Sequence, residues 1–375
     1  DITHNTTTVN KVVGNVFAEV QPLTGLKVTS RFGLDAMFLR SHAWMPAFYY
    51  SSSRLNTVPG TADNNENWSN WQWENFATYQ RKYGDHELSF LAGMSALRRN
   101  YNRLNGTASG MFREEENFGY PDYLPDDQDR IAGAQSSTSM VSYYGRIFYN
   151  YKDKYLFNAT LRRDGSSLLP PQNAWGTFPS VSAGWIASNE AFFPQSVLNY
   201  LKLRASWGQN GSITNINIGD WRTLITSQGI AYPDADGTLN IGAEPTGFEN
   251  PFLKWEASEQ LDFGADMGFF DNRLSVIVDY YNKTTKGLLT PGTVPGFVGN
   301  MLPVVNGGDV RNRGWEFELS YRNNAGNAFT FEIGMNMTTI HNEVLKLNEF
   351  VDRLPGANVG TGWGATWFEK GYPIW

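Results

Sequence analysis

Apolar and polar side chains alternate with period two in run after run along this chain, and the runs are joined in turn by short turns and long loops. The stretch from Ser142 to Gly165 shows the pattern most clearly, as two alternating runs across a Lys152-Asp153 turn. In its second run Tyr155, Phe157, Ala159 and Leu161 fall on one side. Lys154, Asn158, Thr160 and Arg162 fall on the other, with Leu156 the one apolar intruder. Successive strand side chains point to opposite faces, so such a hairpin has one greasy face and one wet face. The greasy face must meet either a protein core or lipid.

The same alternation recurs from end to end. Val12, Val16, Ala18 and Val20 share a face, and Leu26, Val28, Phe32, Leu34, Ala36 and Phe38 oppose Lys27, Thr29, Arg31 and Asp35. Further runs lie near Trp71–Arg81 and Leu88–Arg98. Val181, Ala183, Trp185 and Ala187 form another face. Leu201, Leu203, Ala205 and Trp207 oppose Lys202, Arg204 and Ser206, and Leu261, Phe263, Ala265, Met267 and Phe269 oppose Gln260, Asp262 and Asp266. Leu274, Val276, Val278 and Tyr280 follow. Trp315, Phe317, Leu319 and Tyr321 then oppose Glu316, Glu318 and Arg322, and a last run covers Phe329–Met337. Short turns fall at Pro22–Gly25, Lys82–His86, Lys152-Asp153, Phe270–Asn272 and Asn323–Asn327. Long connections follow Arg40 and cover Asn100–Ser137, Asn210–Leu253 and Gly287–Val310. The chain reads as irregular from about Asn342. Roughly a dozen strands of about ten residues match the length needed to span a bilayer, and the short/long rhythm matches an outer-membrane barrel rather than a soluble sandwich.

Composition supports this reading by exclusion. The 375 residues contain no Cys, which removes a disulfide frame, a thiolate metal site and a Cys nucleophile. A net charge of −7 gives no reason to expect nucleic acid. No run of about 18 apolar residues occurs, which excludes a transmembrane helix but not a membrane barrel, whose strands are half polar.

Several segments together resemble the SusC/RagA-like TonB-dependent transporters of the Bacteroidetes outer membrane. They are Tyr144-Gly145-Arg146, Asn150–Leu156, Leu161–Ser167, Trp175–Trp185, Leu201–Gly211, Asn250-Pro251 with Leu253–Glu256, Asp279–Thr285, Asn312–Glu316 and Gly371–Ile374. The resemblance implies an all-β fold, an antiparallel transmembrane β-barrel of twenty-two strands with an N-terminal plug and a TonB box. It also implies a SusD-like surface lipoprotein as a lid. No plug, TonB box or closing strand is recognisable within residues 1–375. A dozen strands cannot close so large a barrel, and an open edge cannot sit in lipid. The expectation is therefore a partial barrel domain, an internal piece of a longer protein.

Candidate chemistry is sparse. Glu316 and Glu318 would lie about 7 Å apart on one strand face, a spacing that suits an inverting glycosidase. On a wet lumen wall they read as lining, as do Lys202, Arg204, Asp262 and Asp266. His4, His42, His86 and His341 show no ligand spacing. Asp126, Asp127 and Asp129, and Asp234 and Asp236, read as acidic loops rather than full calcium loops. Trp185, Trp207, Trp255 and Trp315 read as an interfacial girdle. Trp44, Tyr49, Tyr50, Trp221, Tyr232, Trp363 and Trp367 lie in long connections, where aromatic rings stack on sugars, meet a lid, or pack on their own loops. The expected protein is an outer-membrane importer, not an enzyme and without cofactor or metal. It would take up oligosaccharides or oligopeptides with TonB and a SusD-like partner. A passive porin-like channel and a soluble carbohydrate-active β-protein are the rival readings.

Overall fold

The computed structural model describes residues 4–110, 120, 130–194, 196–226, 231–245, 247–292, 304–323, 329–347, 353–356 and 366–374. Thirteen strands make one sheet: β1 (His4–Leu23), β2 (Leu26–Met45), β3 (Gly60–Tyr83), β4 (His86–Ser109), β5 (Arg130–Tyr151), β6 (Tyr155–Ser166), β7 (Trp175–Ile186), β8 (Leu198–Ser212), β9 (Glu256–Phe269), β10 (Leu274–Lys286), β11 (Gly308–Asn323), β12 (Phe331–Thr338) and β13 (His341–Leu347). β1 to β12 follow one another in sequence order, and β13 pairs with β11. Every register recorded within this sheet is antiparallel.

β12 and β13 act as one strand in two stretches. β12 pairs with Glu316–Asn323 of β11 and β13 with Gly308–Arg313. The register carries across the gap without an extra residue, Glu316 facing Thr338 and Arg313 facing His341; the Thr339 backbone N–H donates to the Trp315 carbonyl, and its hydroxyl accepts the Trp315 N–H at 2.9 Å. The register shifts further along β13, where Val310 faces Val344 but Asp309 faces Lys346, so Leu345 is the extra residue of a bulge; the segment from Asn342 is strand, where the sequence reads as irregular. Residues 371–374 dock beside it. The Val344 N–H donates to the Tyr372 carbonyl and the Gly371 N–H to the Val344 carbonyl, at 2.9 and 2.8 Å.

The chain groups into two compact units, residues 1–20, 29–75 and 94–141, and residues 21–28, 76–93 and 142–375. In the first, strands run well past the alternating bands, so much of the expected connections Ser41–Asn70 and Asn100–Ser137 is β-sheet. The polar pairs Lys11–Asp35, at 3.2 Å, and Arg31–Glu74, at 3.9 Å, share this unit with a small hairpin, Phe48–Ser51 against Arg54–Asn56.

The second unit holds the tight turns. Gly25 turns at φ +89°, and a Cβ there would lie 2.3 Å from the Gln80 carbonyl, so glycine is required. Lys152 and Asp153 take φ of 56° and 52°, and Asn150 Nδ2 donates to Asp153 Oδ1 at 2.6 Å to hold that turn. The expected turn at Asn323–Asn327 falls almost wholly outside the described residues. At the other ends the loops build a core of their own. Leu169, Ile216, Leu253 and Leu289 are buried together, with Trp221, Trp255 and Val304 packed against them.

Among the described residues, large apolar side chains along the sheet's apolar face are exposed. Leu161, Phe263 and Ile333 on its apolar face are 56%, 51% and 60% exposed. An apolar surface this continuous needs a cover that a soluble monomer does not provide.

Candidate functional site

The strongest grouping of functional side chains in the second unit follows from register. β8 sets Lys202 opposite Asp266, Arg204 opposite Gly264 and Ser206 opposite Asp262. β10 then sets Asp279 opposite Gly264 and Tyr281 opposite Asp262, and β11 sets Glu316 opposite Asp279 and Glu318 opposite Ile277. All six charged residues expected on the wet face therefore share one face across four strands. Arg204 is their hub. Its Nε lies 2.8 Å from Asp266 Oδ1 and its Nη2 2.8 Å from Asp279 Oδ2, with Lys202 Nζ 3.9 Å from Asp266. The guanidinium reaches across β9 because Gly264 leaves the gap open. A Cβ there would sit 2.2 Å from Asp279 Oδ1 and 2.8 Å from Arg204 Cζ. Asp262 accepts from the Ser206 hydroxyl at 2.9 Å and from Gln260 Nε2 at 2.7 Å. Glu316 and Glu318 are exposed, and no general acid–base pair is assembled with them among the described residues. A shallow recess of about 270 Å³ opens on this face, lined by Leu156, Asn158, Ser182, Lys202, Arg204 and Asp262 among others. Leu156, the intruder in the alternation, is part of that lining.

Asp279 was the residue that sequence reasoning missed. Its signal was present: Ile277, Asp279, Tyr281 and Lys283 alternate with Val276, Val278 and Tyr280, but only the apolar half of that run stands out on inspection. Arg162 belongs to the polar side of its alternating run. It holds Asp164 at 2.8 Å and donates to the Ser142 hydroxyl at 2.9 Å.

The opposite face carries two aromatic belts. At the loop end, Tyr143 stacks on Trp175 and Arg163 lies over the same ring, 5.3 Å from its centroid. At the turn end, Trp185 Nε1 and the Tyr155 hydroxyl both donate to Glu190, which also pairs with Lys154 at 2.8 Å. These bonds, first that from Lys154 and then that from Tyr155, hold the Glu190 carboxyl at a pKa of about 2 against the opposing pull of desolvation. Trp175 and Trp185 lie ten residues apart on β7. That is about 33 Å of strand, or about 25 Å across a bilayer at a 35–45° tilt, the height of an outer-membrane apolar band. Trp207 and Trp315 also lie on this face, and Trp207 Nε1 donates to Glu259 at 2.9 Å. Trp255 is placed differently. It packs edge-on to Phe178 and donates to the Ala174 carbonyl at 3.1 Å, inside the loop core.

Trp44 lies within β2, buried, 5.0 Å from the His4 ring. Tyr49 and Tyr50 are exposed in the small hairpin, with Arg54 over Tyr50. Trp221 packs on the loop core under Arg222, and Trp367 lies under Arg353, each guanidinium 4.2 Å from the ring centroid. Tyr232 lies in a short strand, Ala231–Pro233. Trp363 and the acidic group Asp126, Asp127 and Asp129 lie outside the described residues. Asp234 and Asp236 cap their own turn, accepting from the Ala235 and Thr238 N–H groups. No cluster able to hold a metal ion occurs among the described residues.

The family described as TonB dependent receptor-like, beta-barrel, matches residues 18–373. TonB-dependent receptor P3 of Formosa agariphila is 32% identical over 91% of this chain and 34% of its own length. TonB-dependent receptor SusC of Bacteroides thetaiotaomicron is 34% identical over 62% of this chain and 24% of its own. The chain thus spans about a third or less of these relatives. Among solved structures, that of the RagAB peptide transporter superposes with a TM-score of 0.87 at 21% identity, covering 99% of this chain and 40% of that one.

Proposed function

The chain belongs to the TonB-dependent receptor β-barrel family, and we propose that it forms part of the wall of a SusC-type outer-membrane importer. The apolar face meets lipid and the charged face lines a wet lumen. The single observation that carries this reading is the two-facedness of the sheet: an Arg204-centred ladder on one side, and an apolar band about 25 Å tall between aromatic belts on the other. A soluble β-protein would not leave that band exposed.

In this reading the sheet is completed by strands beyond the residues described, and a plug within the same polypeptide couples to TonB. The loop core around Leu253 stiffens the mouth, where a SusD-like lipoprotein covers the opening. The cargo is an oligosaccharide or oligopeptide. Exposed Tyr49 and Tyr50 favour a sugar, while the fold likeness to a peptide transporter favours a peptide. The test is uptake by cells carrying or lacking the gene, with labelled oligosaccharide and peptide pools. Gene-dependent uptake that stops when the inner-membrane proton gradient is dissipated is the expected result. Uptake that survives dissipation would establish a passive channel instead. Recovery of the full-length protein as a detergent-free soluble monomer would overturn the membrane reading.

A further inference from the structure

The loop end of β9, β10, β11 and β13 carries a positively charged hollow on the apolar side of the sheet. Register defines its rows. Ala257 faces Lys286, and Asp309 faces Lys346; Glu259, Thr284, Arg311 and Glu343 form the next row, and Leu261, Asn282, Arg313 and His341 the one below. The row after that is Phe263, Tyr280 and Trp315, with Tyr280 and Trp315 rings 5.1 Å apart, and purely apolar rows follow. Over five rows the face therefore changes from charged to aromatic to aliphatic. That is the order met on passing from a headgroup layer into acyl chains.

Above the aromatic row lies a recess of about 560 Å³, lined by Lys254, Trp255, Lys286, Asn306, Asp309 and Lys346 among others. Its floor is fixed. Asn306 accepts from the Lys254 N–H at 3.1 Å and donates to the Lys254 and Gly287 carbonyls, both at 3.0 Å. Lys286 pairs with Glu259, and Arg311 with Glu343 at 2.6 Å. Lys254 and Lys346 are exposed, and neither has a carboxylate partner among the described residues. Five cations here, Lys254, Lys286, Arg311, Arg313 and Lys346, face three carboxylates, Glu259, Asp309 and Glu343. Five cations against three carboxylates leave an excess of positive charge at the lipid boundary, and an anionic lipid head group can balance it.

We propose that this hollow binds the phosphorylated saccharide head of an outer-leaflet glycolipid of the lipid A class. Lys254 and Lys346 hold phosphate, Tyr280 and Trp315 sit at the sugar–acyl boundary, and the acyl chains lie along the aliphatic rows. The long loops mark the outer side in barrels of this kind, which sets the leaflet. The cations span about three strand spacings, roughly 14 Å, which a single phosphate cannot bridge and a bisphosphorylated disaccharide can.

The inference rests on membrane placement, not on transport, so it can fail while the importer reading stands. The test uses full-length protein extracted from outer membranes, delipidated in detergent, then titrated with lipid A, dephosphorylated lipid A or phosphatidylglycerol and read by native mass spectrometry. Lipid A should bind at least tenfold more tightly than either other lipid. Each lysine is worth about fivefold at such a surface, so Lys254→Gln with Lys346→Gln should weaken lipid A about 25-fold. An unchanged cargo uptake and heat-shifted gel mobility would show that this variant is folded, and Lys254→Glu with Lys346→Glu should weaken binding further. Equal binding of dephosphorylated lipid A or of phosphatidylglycerol, or unchanged binding by the folded glutamine variant, would overturn the proposal.

Discussion

Two single residues carry more structural consequence than their sequence context suggests. Gly264 is the gap through which Arg204 reaches Asp279. Gly264→Ala should force the guanidinium off one or both carboxylates and cost about 1–3 kcal/mol by overpacking, measured by guanidinium unfolding in detergent. Gly264→Ala combined with Asp279→Ser should recover part of that loss, because the crowded oxygen is removed. Glu190 acts through charge. Its carboxyl is held at about 2, below its ordinary value near 4.5, so its bonds stabilise the folded state fully above that ordinary value. The contribution fades as pH falls from there towards 2. The melting temperature of the native protein should exceed that of Glu190→Ala by a constant margin from pH 5 to 7. The margin should close as pH approaches 2; a margin independent of pH would mean that Glu190 acts only by filling space. Neither role could be read from sequence. Gly264 matters only because the register sets Arg204 and Asp279 on either side of it, and Glu190 sits in a connector with no periodicity.

At the scale of elements, alternation was legible wherever one face is apolar and the other polar, as in β6, β8, β9 and β11. It failed where neither face is consistently apolar: Asn100–Ser109 continues β4 as strand, yet Asn100 and Asn102 on one side and Arg103, Asn105, Thr107 and Ser109 on the other give no period to read. It failed again in β13, because the extra residue at Leu345 shifts the phase. The loop core was hidden for a third reason. Its members come from three separate connections, and no local pattern links Leu169, Ile216, Leu253 and Leu289. That core is also cross-tied by polar bonds: Asn173 Nδ2 donates to the Leu253 carbonyl at 3.1 Å, and Asn250 Nδ2 to the Val304 carbonyl at 2.8 Å. The Asn250-Pro251 segment is thus a brace between loops. Leu253 is fully buried, so Leu253→Ala should cost the loop assembly about 2–5 kcal/mol. Limited proteolysis should then cut the 213–255 and 287–308 connections faster, while the strands keep their heat-shifted gel mobility. Loss of that mobility would show instead that the loop core supports the sheet.

At the scale of the whole molecule, the decisive property is which solvent each face meets. In the second unit β6 and β7 place Ala159 opposite Val181 near the middle of the apolar band, and Thr160 opposite Ser180 on the polar face one residue away. The two positions share a strand pair and differ only in the direction their side chains point. Val181→Lys puts a charge near the bilayer midplane and should destabilise the protein by about 2–4 kcal/mol in lipid bilayers. Thr160→Lys adds the same charge to a water-lined wall and should stay within about 0.5 kcal/mol of the parent. Trp185→Lys, at the turn-end belt, should fall nearer the second value than the first, because the cost of a charge on the lipid face declines towards the interface; the lost bond to Glu190 adds to it. Guanidinium unfolding of bilayer-inserted protein measures all three. Equal costs for Val181→Lys and Thr160→Lys would mean that both faces meet the same medium, and the assignment of lipid to one side and lumen to the other would fail. A graded order, Val181 above Trp185 above Thr160, ties the period-two alternation directly to the thickness of the membrane it crosses.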